Sequence, residues 1–376
     1  MGEAATQVRT SAPGSPLPVL RAPWSLARFR RAGALLSLLG LGLLWSPPAT
    51  AQDAEPAQDV IPALSSRVAN ADPEPVPLSE PAGADTYGDE APKRRKGPPK
   101  PPRRGGINPC MTPDPGFGVH DRWSRAPSMG QMISPHKGGL TKSGGFDVII
   151  HFHGHEAVRK EFVKSENGMV LVGIDLGIGS GAYANAFASP GTFERLLTSI
   201  ETGMASKTGK KNAHIRKLAL SAWSAGYGAI EQILRQPAGK KVDSVILLDS
   251  LHAGYLDEQA KSLKVVQIEP FIEFARSASA KKKFMFLSHS SIIPPGYAST
   301  TEVADFMIKR LSGKSKKANR QDVLGLDMIR RYDRGDFHVR GYTGDDKPDH
   351  CAHLGLMADI VRVHLQPRWK TPKGRR

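Results

Sequence analysis

An α/β fold, a doubly wound and mostly parallel sheet with helices on both faces, is what this sequence predicts for its longer, carboxy-terminal part, and two patterns predict it. Short runs at 146–152, 169–176, 218–222, 244–248, 284–287 and 337–342 are apolar throughout instead of alternating, as strands buried on both faces are. Between them lie amphipathic patterns at 192–204, 226–235, 270–278, 301–311 and 352–365, which supply the helices that cover such a sheet. No internal repeat is present, and the weaker patterning before residue 146 leaves the first strands unplaced.

The amino-terminal third reads differently. Arg28, Arg30 and Arg31 precede an apolar run from Ala32 to Trp45 that ends in Ala49-Thr50-Ala51. This is the order of an export signal with a small-x-small cleavage site, and the run is shorter than the roughly twenty residues that span a bilayer. Residues 1–51 are therefore expected to be a signal peptide, and the mature protein periplasmic or secreted, with no membrane span after cleavage. Residues 52–106 are rich in Pro, Ala and acids, then switch to the basic run 93–104. They hold too little apolar surface to offset their ordering entropy and read as a disordered tether. Residues 107–376 are the expected folded domain, a span that suits a single α/β unit.

The net charge of +16 divides unevenly. The expected signal carries +4, residues 52–92 carry −8, residues 93–106 carry +7, and the domain keeps +13. A cationic domain on a basic tether suits an anionic envelope or extracellular polymer, or serves solubility alone. No aromatic residues interleave with the lysine clusters, so nucleic acid is not an expected partner. Cys110 and Cys351 make an even count in an exported chain, and a disulfide between them is expected to brace the segment around residue 350.

The most informative stretch is Leu218-Ala219-Leu220-Ser221-Ala222-Trp223-Ser224-Ala225-Gly226-Tyr227. It runs from a buried strand through a small-x-Ser-x-Gly turn into a helix, the pattern of a nucleophile elbow, with Ala in place of the usual first Gly. Small residues at Ala222 and Gly226 let strand and helix approach, and the backbone N–H of Ala225 at the helix start is placed to face an oxyanion. A serine hydroxyl needs a base and an orienting acid, in the chain order Ser, Asp or Glu, His. Asp249 ends the next strand, at the carboxyl edge where open α/β sheets hold their sites. The strand after that ends in Ser288-His289-Ser290 without a carboxylate. His350, at a loop-helix junction, is the expected base, with His353 as the alternative. The strand ending in His153-Gly154-His155 supplies the second oxyanion donor, from Gly154 or His155. Tyr183, Asn185 and His289 are expected on the substrate rim.

Taken together, these residues resemble the α/β-hydrolase superfamily, of the serine esterase and lipase kind. His153-Gly154 resembles its oxyanion turn, Ala222-Trp223-Ser224-Ala225-Gly226 its elbow, and Asp249 and His350 its acid and base. The resemblance covers residues 146–365 and implies cofactor-free, metal-free hydrolysis of an ester, thioester or amide through an acyl-enzyme. Ester cleavage is the expected activity.

Other readings compete. His151, His153 and His155 alternate along one strand and could share a zinc ion in a metal-dependent hydrolase. Gly177-Ile178-Gly179-Ser180-Gly181-Ala182 fits a dinucleotide fingerprint on paper. That site needs a helix opening inside the motif and an acid at the end of the next strand, whereas residues 183–190 read as loop. A third class is a binding protein that reuses a hydrolase scaffold without turnover.

Overall fold

The computed structural model describes residues 109–370 apart from 126–127, 167 and 322–323. The expected signal peptide and tether lie outside the described residues. In chain order the strands are β1 Ser124–Arg125, β2 Gln131–Ile133, β3 Gly145–Phe152, β4 Val170–Ile174, β5 His214–Ser224, β6 Ser244–Ser250, β7 Tyr255–Asp257, β8 Ser262–Leu263, β9 Phe284–His289, β10 Lys316–Gln321, β11 Asp327–Arg334 and β12 Phe337–Tyr342. Ten of them form one sheet in the order β1-β2-β4-β3-β5-β6-β9-β12-β11-β10, and β7 and β8 pair separately. From β4 to β12 every neighbouring pair is parallel. The antiparallel pairs lie at the two flanks. This is an α/β fold with a mostly parallel sheet, and its short antiparallel start fills the region whose patterning was too weak to read.

The pleat sorts alternate residues to two separate cores. Val148, Ile150, Phe152, Leu220, Ala222, Val245 and Leu247 belong to one apolar cluster, while Ile149, Ala219, Ile246 and Leu248 belong to the other. Helices α2 Ser180–Phe187, α3 Pro190–Thr208, α4 Tyr227–Arg235, α5 Val265–Ser279 and α6 Thr300–Arg310 cover the first face. Helix α1 His155–Phe162 and the carboxy-terminal helical segment cover the second. Because both faces are buried, the strands had to be apolar throughout.

Two expectations are corrected. Residues 180–187 form a helix, not a loop: Ala182, Ala184 and Ala186 favour helix, and Pro190 opens α3, so the break falls between two helices. One of the two grounds against a dinucleotide site is thereby lost. The other stands, since β5 ends at Ser224 without a carboxylate. The expected helix over 352–365 is a relay of short turns: α7 Lys347–Ala352, a 3-10 turn His353–Leu356, α8 Met357–Ile360, a π turn Val361–Leu365 and α9 Gln366–Trp369. Gly355 and Pro367 sit inside this stretch and interrupt a regular hydrogen-bond ladder.

Candidate active site

The carboxyl ends of β3, β5 and β6 lie side by side, and the residues singled out above lie on the turns that leave them. β5 passes through Ser224 into α4 with a left-handed serine backbone, φ 49°. Such a backbone is costly for a residue with a Cβ and persists only where its surroundings enforce it. Gly226 is what permits the turn: a Cβ there would stand 2.2 Å from the carbonyl oxygen of Phe152 on β3. From β6, the Ser250 hydroxyl donates to the Ser224 carbonyl at 2.7 Å. Among the described residues, no acceptor takes the backbone N–H of Ala225 or of Gly154.

Asp249, the penultimate residue of β6, has φ 44° and is 1% exposed. Its Oδ1 accepts the Ser290 N–H at 2.8 Å and the Thr300 hydroxyl at 2.8 Å. Its Oδ2 pairs with Nδ1 of His350 at 2.7 Å. Burial opposes the charge on this carboxyl, but neighbouring His353 and His350 and the hydrogen bonds from His350 and Ser290 outweigh it and hold Asp249 well below the usual carboxylate range. Burial pushes His353 itself down to about 4. Its ring is then neutral near pH 7, so there the hydrogen bonds, not a charge on His353, hold Asp249 ionised. An ionised carboxylate can only accept, so Nδ1 of His350 carries the proton in that bond and Nε2 is left as the basic nitrogen.

His350 sits on α7, whose first turn is capped by the Asp346 side chain accepting from the Asp349 N–H at 2.8 Å. The next residue, Cys351, is disulfide-bonded to Cys110. The indole of Trp223 braces the same histidine. Its ring stacks on the His350 ring with centroids 4.7 Å apart, and its Nε1–H donates to the His350 carbonyl at 3.0 Å. The indole also stacks on the His153 ring, with centroids 5.1 Å apart. Gly154, with φ 76°, lies against the same ring, where a Cβ would stand 2.7 Å from Trp223 Cε3. One side chain thus ties the β5 turn to the β3 turn and to the histidine on α7.

His353 makes no direct bond to Asp249 and meets it through Ser288, whose hydroxyl accepts the Asp249 N–H at 3.2 Å. It is fully buried, with Nδ1 bonded to the Ser288 hydroxyl at 2.8 Å. His155 also departs from expectation. Its N–H points to Asp175 Oδ1 at 3.4 Å and its Nδ1 bonds Asp175 Oδ2 at 2.6 Å. The Asp175 carboxylate therefore competes for an N–H expected to face an oxyanion, and Gly154 is the better-placed donor on that turn.

The three histidines that could have shared a metal are each engaged elsewhere. The buried His151 ring is satisfied by the Ser221 hydroxyl at 2.9 Å and the His153 carbonyl at 2.8 Å, and burial pushes it down to about 3. His153 bonds the Tyr183 hydroxyl at 2.9 Å, while Asp175 raises the affinity of His155 for a proton. Among the described residues no three His, Cys, Asp or Glu side chains are grouped to hold a metal ion. The left-handed turn at His153 and Gly154 breaks the alternation that a shared ligand face would need.

The expected rim is corrected in two of its three members. Tyr183 is fully buried, its hydroxyl also accepting the Leu176 N–H at 3.1 Å. His289 is 1% exposed, with Nδ1 on the Thr301 hydroxyl at 2.8 Å. Asn185 is exposed on α2. Sequence reasoning missed Trp223, Asp175, Ser290 and Thr300. Trp223 had a signal, since it lies inside the elbow itself, and Asp175 ends a strand as Asp249 does. Ser290 and Thr300 carry no local pattern, and only the packing of the β9 loop and of α6 on β6 brings them to the carboxylate.

No family model matches the chain, and no curated protein matches it in sequence. Solved structures similar to it include an uncharacterised protein from Capnocytophaga ochracea, with 8% identity, a TM-score of 0.38 and coverage of 65% of this chain and 63% of that one. Another is the Pyrococcus horikoshii acylaminoacyl peptidase, with 12% identity, a TM-score of 0.36 and coverage of 65% and 42%. A third is a carbohydrate esterase from gut microbiota, with 10% identity, a TM-score of 0.37 and coverage of 66% and 98%. The chain spans less than two thirds of the length of the first two.

Proposed function

We propose that this protein is an exported serine hydrolase that cleaves a carboxylic ester through an acyl-enzyme. Ser224 attacks the carbonyl carbon, Nε2 of His350 takes the hydroxyl proton and later returns it to the leaving group, and Asp249 fixes the ring and stabilises the imidazolium. The N–H groups of Ala225 and Gly154 receive the oxyanion. The observation that carries this reading is the 2.7 Å bond between the buried Asp249 carboxylate and His350, made across 101 residues of chain, at the sheet edge where Ser224 holds a left-handed backbone. A structural aspartate-histidine pair has no need of a strained serine on the adjacent strand.

The substrate reading narrows at the same edge. Ile178, Leu256, Ile293 and Tyr297 are exposed on the segments that follow β4, β6 and β9, where the charge is mixed, with Asp257, Glu258, Lys261 and Lys264 all exposed. An uncharged ester with an apolar acyl group suits such a rim better than a polyanion does. Export fits the Cys110–Cys351 disulfide, and no helix among the described residues is long and apolar enough to cross a membrane.

A fluorophosphonate probe followed by a panel of p-nitrophenyl esters tests the proposal. The expected outcome is covalent labelling of the wild type, none of Ser224→Ala, and a kcat loss of about a thousandfold or more in that variant. A folded wild-type protein that never labels would return the chain to the class of binding proteins.

A further inference from the structure

The lysines that the catalytic reading leaves unused fall at one end of the sheet. Lys210 and Lys211 lie on the loop that feeds β5, Lys240 and Lys241 on the loop that feeds β6, and Lys281 and Lys282 on the loop that feeds β9; all are exposed. β5, β6 and β9 are consecutive in the sheet, and β6 and β9 start in register with Ser244 opposite Phe284. The Lys240–Lys241 and Lys281–Lys282 loops therefore lie at strand spacing, about 5 Å apart. β5 starts ahead of Ala219, the partner of Ser244, and carries Lys210 and Lys211 about 16 Å farther out along the strand. Lys283 stitches two of them together, its Nζ donating to the Lys240 carbonyl at 2.9 Å and to the Val242 carbonyl.

The carboxylates within this band are already paired. Asp243 is held by Arg368 Nε at 2.9 Å and by Lys217 at 3.6 Å, and Asp336 by Arg368 Nη1 at 2.8 Å. Beside the band, still on the edge where strands begin, a cavity of about 400 Å³ is lined by Arg276, Arg310 and Arg334 with Ser279 and Ser312. The carboxylate paired with these arginines is Glu269, 3.9 Å from Arg310. The opposite, catalytic edge carries mixed charge and the exposed apolar side chains Ile178, Leu256, Ile293 and Tyr297.

We propose that the strand-start edge is a docking surface for an anionic lipid bilayer, and that it seats the protein with its catalytic edge facing away from the lipid. Four features favour this occupant. The contacts are mostly lysines, flexible point charges that match diffuse negative charge better than the bidentate geometry an arginine fork reads. No exposed aromatic side chain interleaves with them to stack on bases, which argues against nucleic acid. No large apolar side chain is exposed on the loops at 209–213, 237–243 and 280–283, so this surface lacks the apolar centre of a protein interface. The arginine cavity at its margin is of a size to take a phosphate headgroup. The inference does not depend on Ser224 chemistry.

The test is flotation of the full-length protein with vesicles of phosphatidylcholine alone or mixed with phosphatidylglycerol, in about 0.1 M salt. The wild type is expected to float with the mixed vesicles only, and to be released in about 1 M salt, where screening acts within about 3 Å. A variant carrying Lys240→Glu, Lys241→Glu, Lys281→Glu and Lys282→Glu is expected to bind the mixed vesicles about a hundredfold more weakly or worse. The same positions changed to Gln give a milder loss and guard against misfolding, which a thermal melt checks. Lys261→Glu with Lys264→Glu, on the catalytic edge, is expected to bind as the wild type does. Equal vesicle binding by the strand-start variant and the wild type overturns the proposal and leaves the basic run 93–104 as the source of attraction. So does wild-type affinity for duplex DNA or heparin that exceeds affinity for the mixed vesicles.

Discussion

β6 is bounded by two aspartates, and their surroundings differ in a single respect that matters. Asp243, just before the strand, is half-buried against Arg368 Nε at 2.9 Å, the Trp369 indole N–H at 2.8 Å and the Ser244 hydroxyl at 2.8 Å. Asp249, one residue before the strand's end, is buried against a backbone N–H, a hydroxyl and His350. Burial opposes the charge on both, and at both the hydrogen-bond donors win, bringing Asp243 down to about 2. The partners part company in what they can do next. A guanidinium never gives up its proton, so the Asp243 end is a permanent clamp that pins α9 to the start of β6. An imidazole can cycle its proton, so the Asp249 end can take part in chemistry. Two ends of one strand thus use the same charge for different purposes, and the cation decides which.

The largest way to break this comparison is Asp249→Asn. The amide keeps its shape but can donate to Nδ1, leaving His350 in the wrong tautomer, and a loss in kcat of about ten-thousandfold is expected by analogy with a serine-protease triad. A steady-state assay with the preferred ester reads it, with the melting temperature as control. A loss of only a few-fold would mean that Asp249 serves the fold and not the reaction. Asp243→Asn should do the reverse: kcat unchanged and stability reduced by about 2 kcal/mol in urea unfolding, because Arg368 loses its principal partner. The carboxyl's depressed affinity for protons stabilises the fold above about pH 4, and that contribution fades as pH falls through about 2.

Acid acts at both ends. Burial pushes His151, His289 and His353, at the Ser224 end, down to about 3, 4 and 4, and pushes His364, packed on Phe284 at the start of β9, down to about 4. Their unfolded counterparts take up protons near pH 6.5. Between about pH 6.5 and 4 the unfolded chain therefore binds protons that the folded one refuses, and stability falls as pH falls. Over the same window Asp243 keeps its charge. Hydrogen exchange at pH 7 and pH 5 should show protection falling around both ends of β9, around α7 and in the turn that holds His364. Protection unchanged between the two pH values would mean that these histidines are not kept neutral by the fold.

Much of this was legible in the sequence, for reasons that particular residues explain. The strands could be read because both faces of the sheet are buried, so that runs such as 146–152 had to be apolar throughout. Ser224 and Asp249 could be placed because each ends such a run. Tyr183 and His289 were misplaced because polarity near a strand end reads the same whether a side chain faces solvent or closes a buried hydrogen bond. Tyr183 does the latter for His153, and His289 does it for Thr301. His155 was misread because the acid that engages it, Asp175, comes from a different strand, and no local spacing announces a pair made across the sheet.

The smallest effect concerns Trp223, which touches the catalytic end through a ring face and one N–H. Trp223→Phe keeps an aromatic ring against His153 and His350 but deletes the bond to the His350 carbonyl. A neutral hydrogen bond and part of a ring contact are each worth about 1 kcal/mol, so kcat should fall about three- to tenfold with KM unchanged. Trp223→Leu, which removes the ring as well, should fall further, and the ordering of the two variants separates anchoring from stacking. If the indole merely holds His350 where the carboxylate has already oriented it, its loss must cost far less than loss of the carboxylate. Should Trp223→Phe prove as damaging as Asp249→Asn, the ring of His350 would owe its orientation to its carbonyl anchor, and the likeness between the two ends of β6 would be closer than their partners suggest.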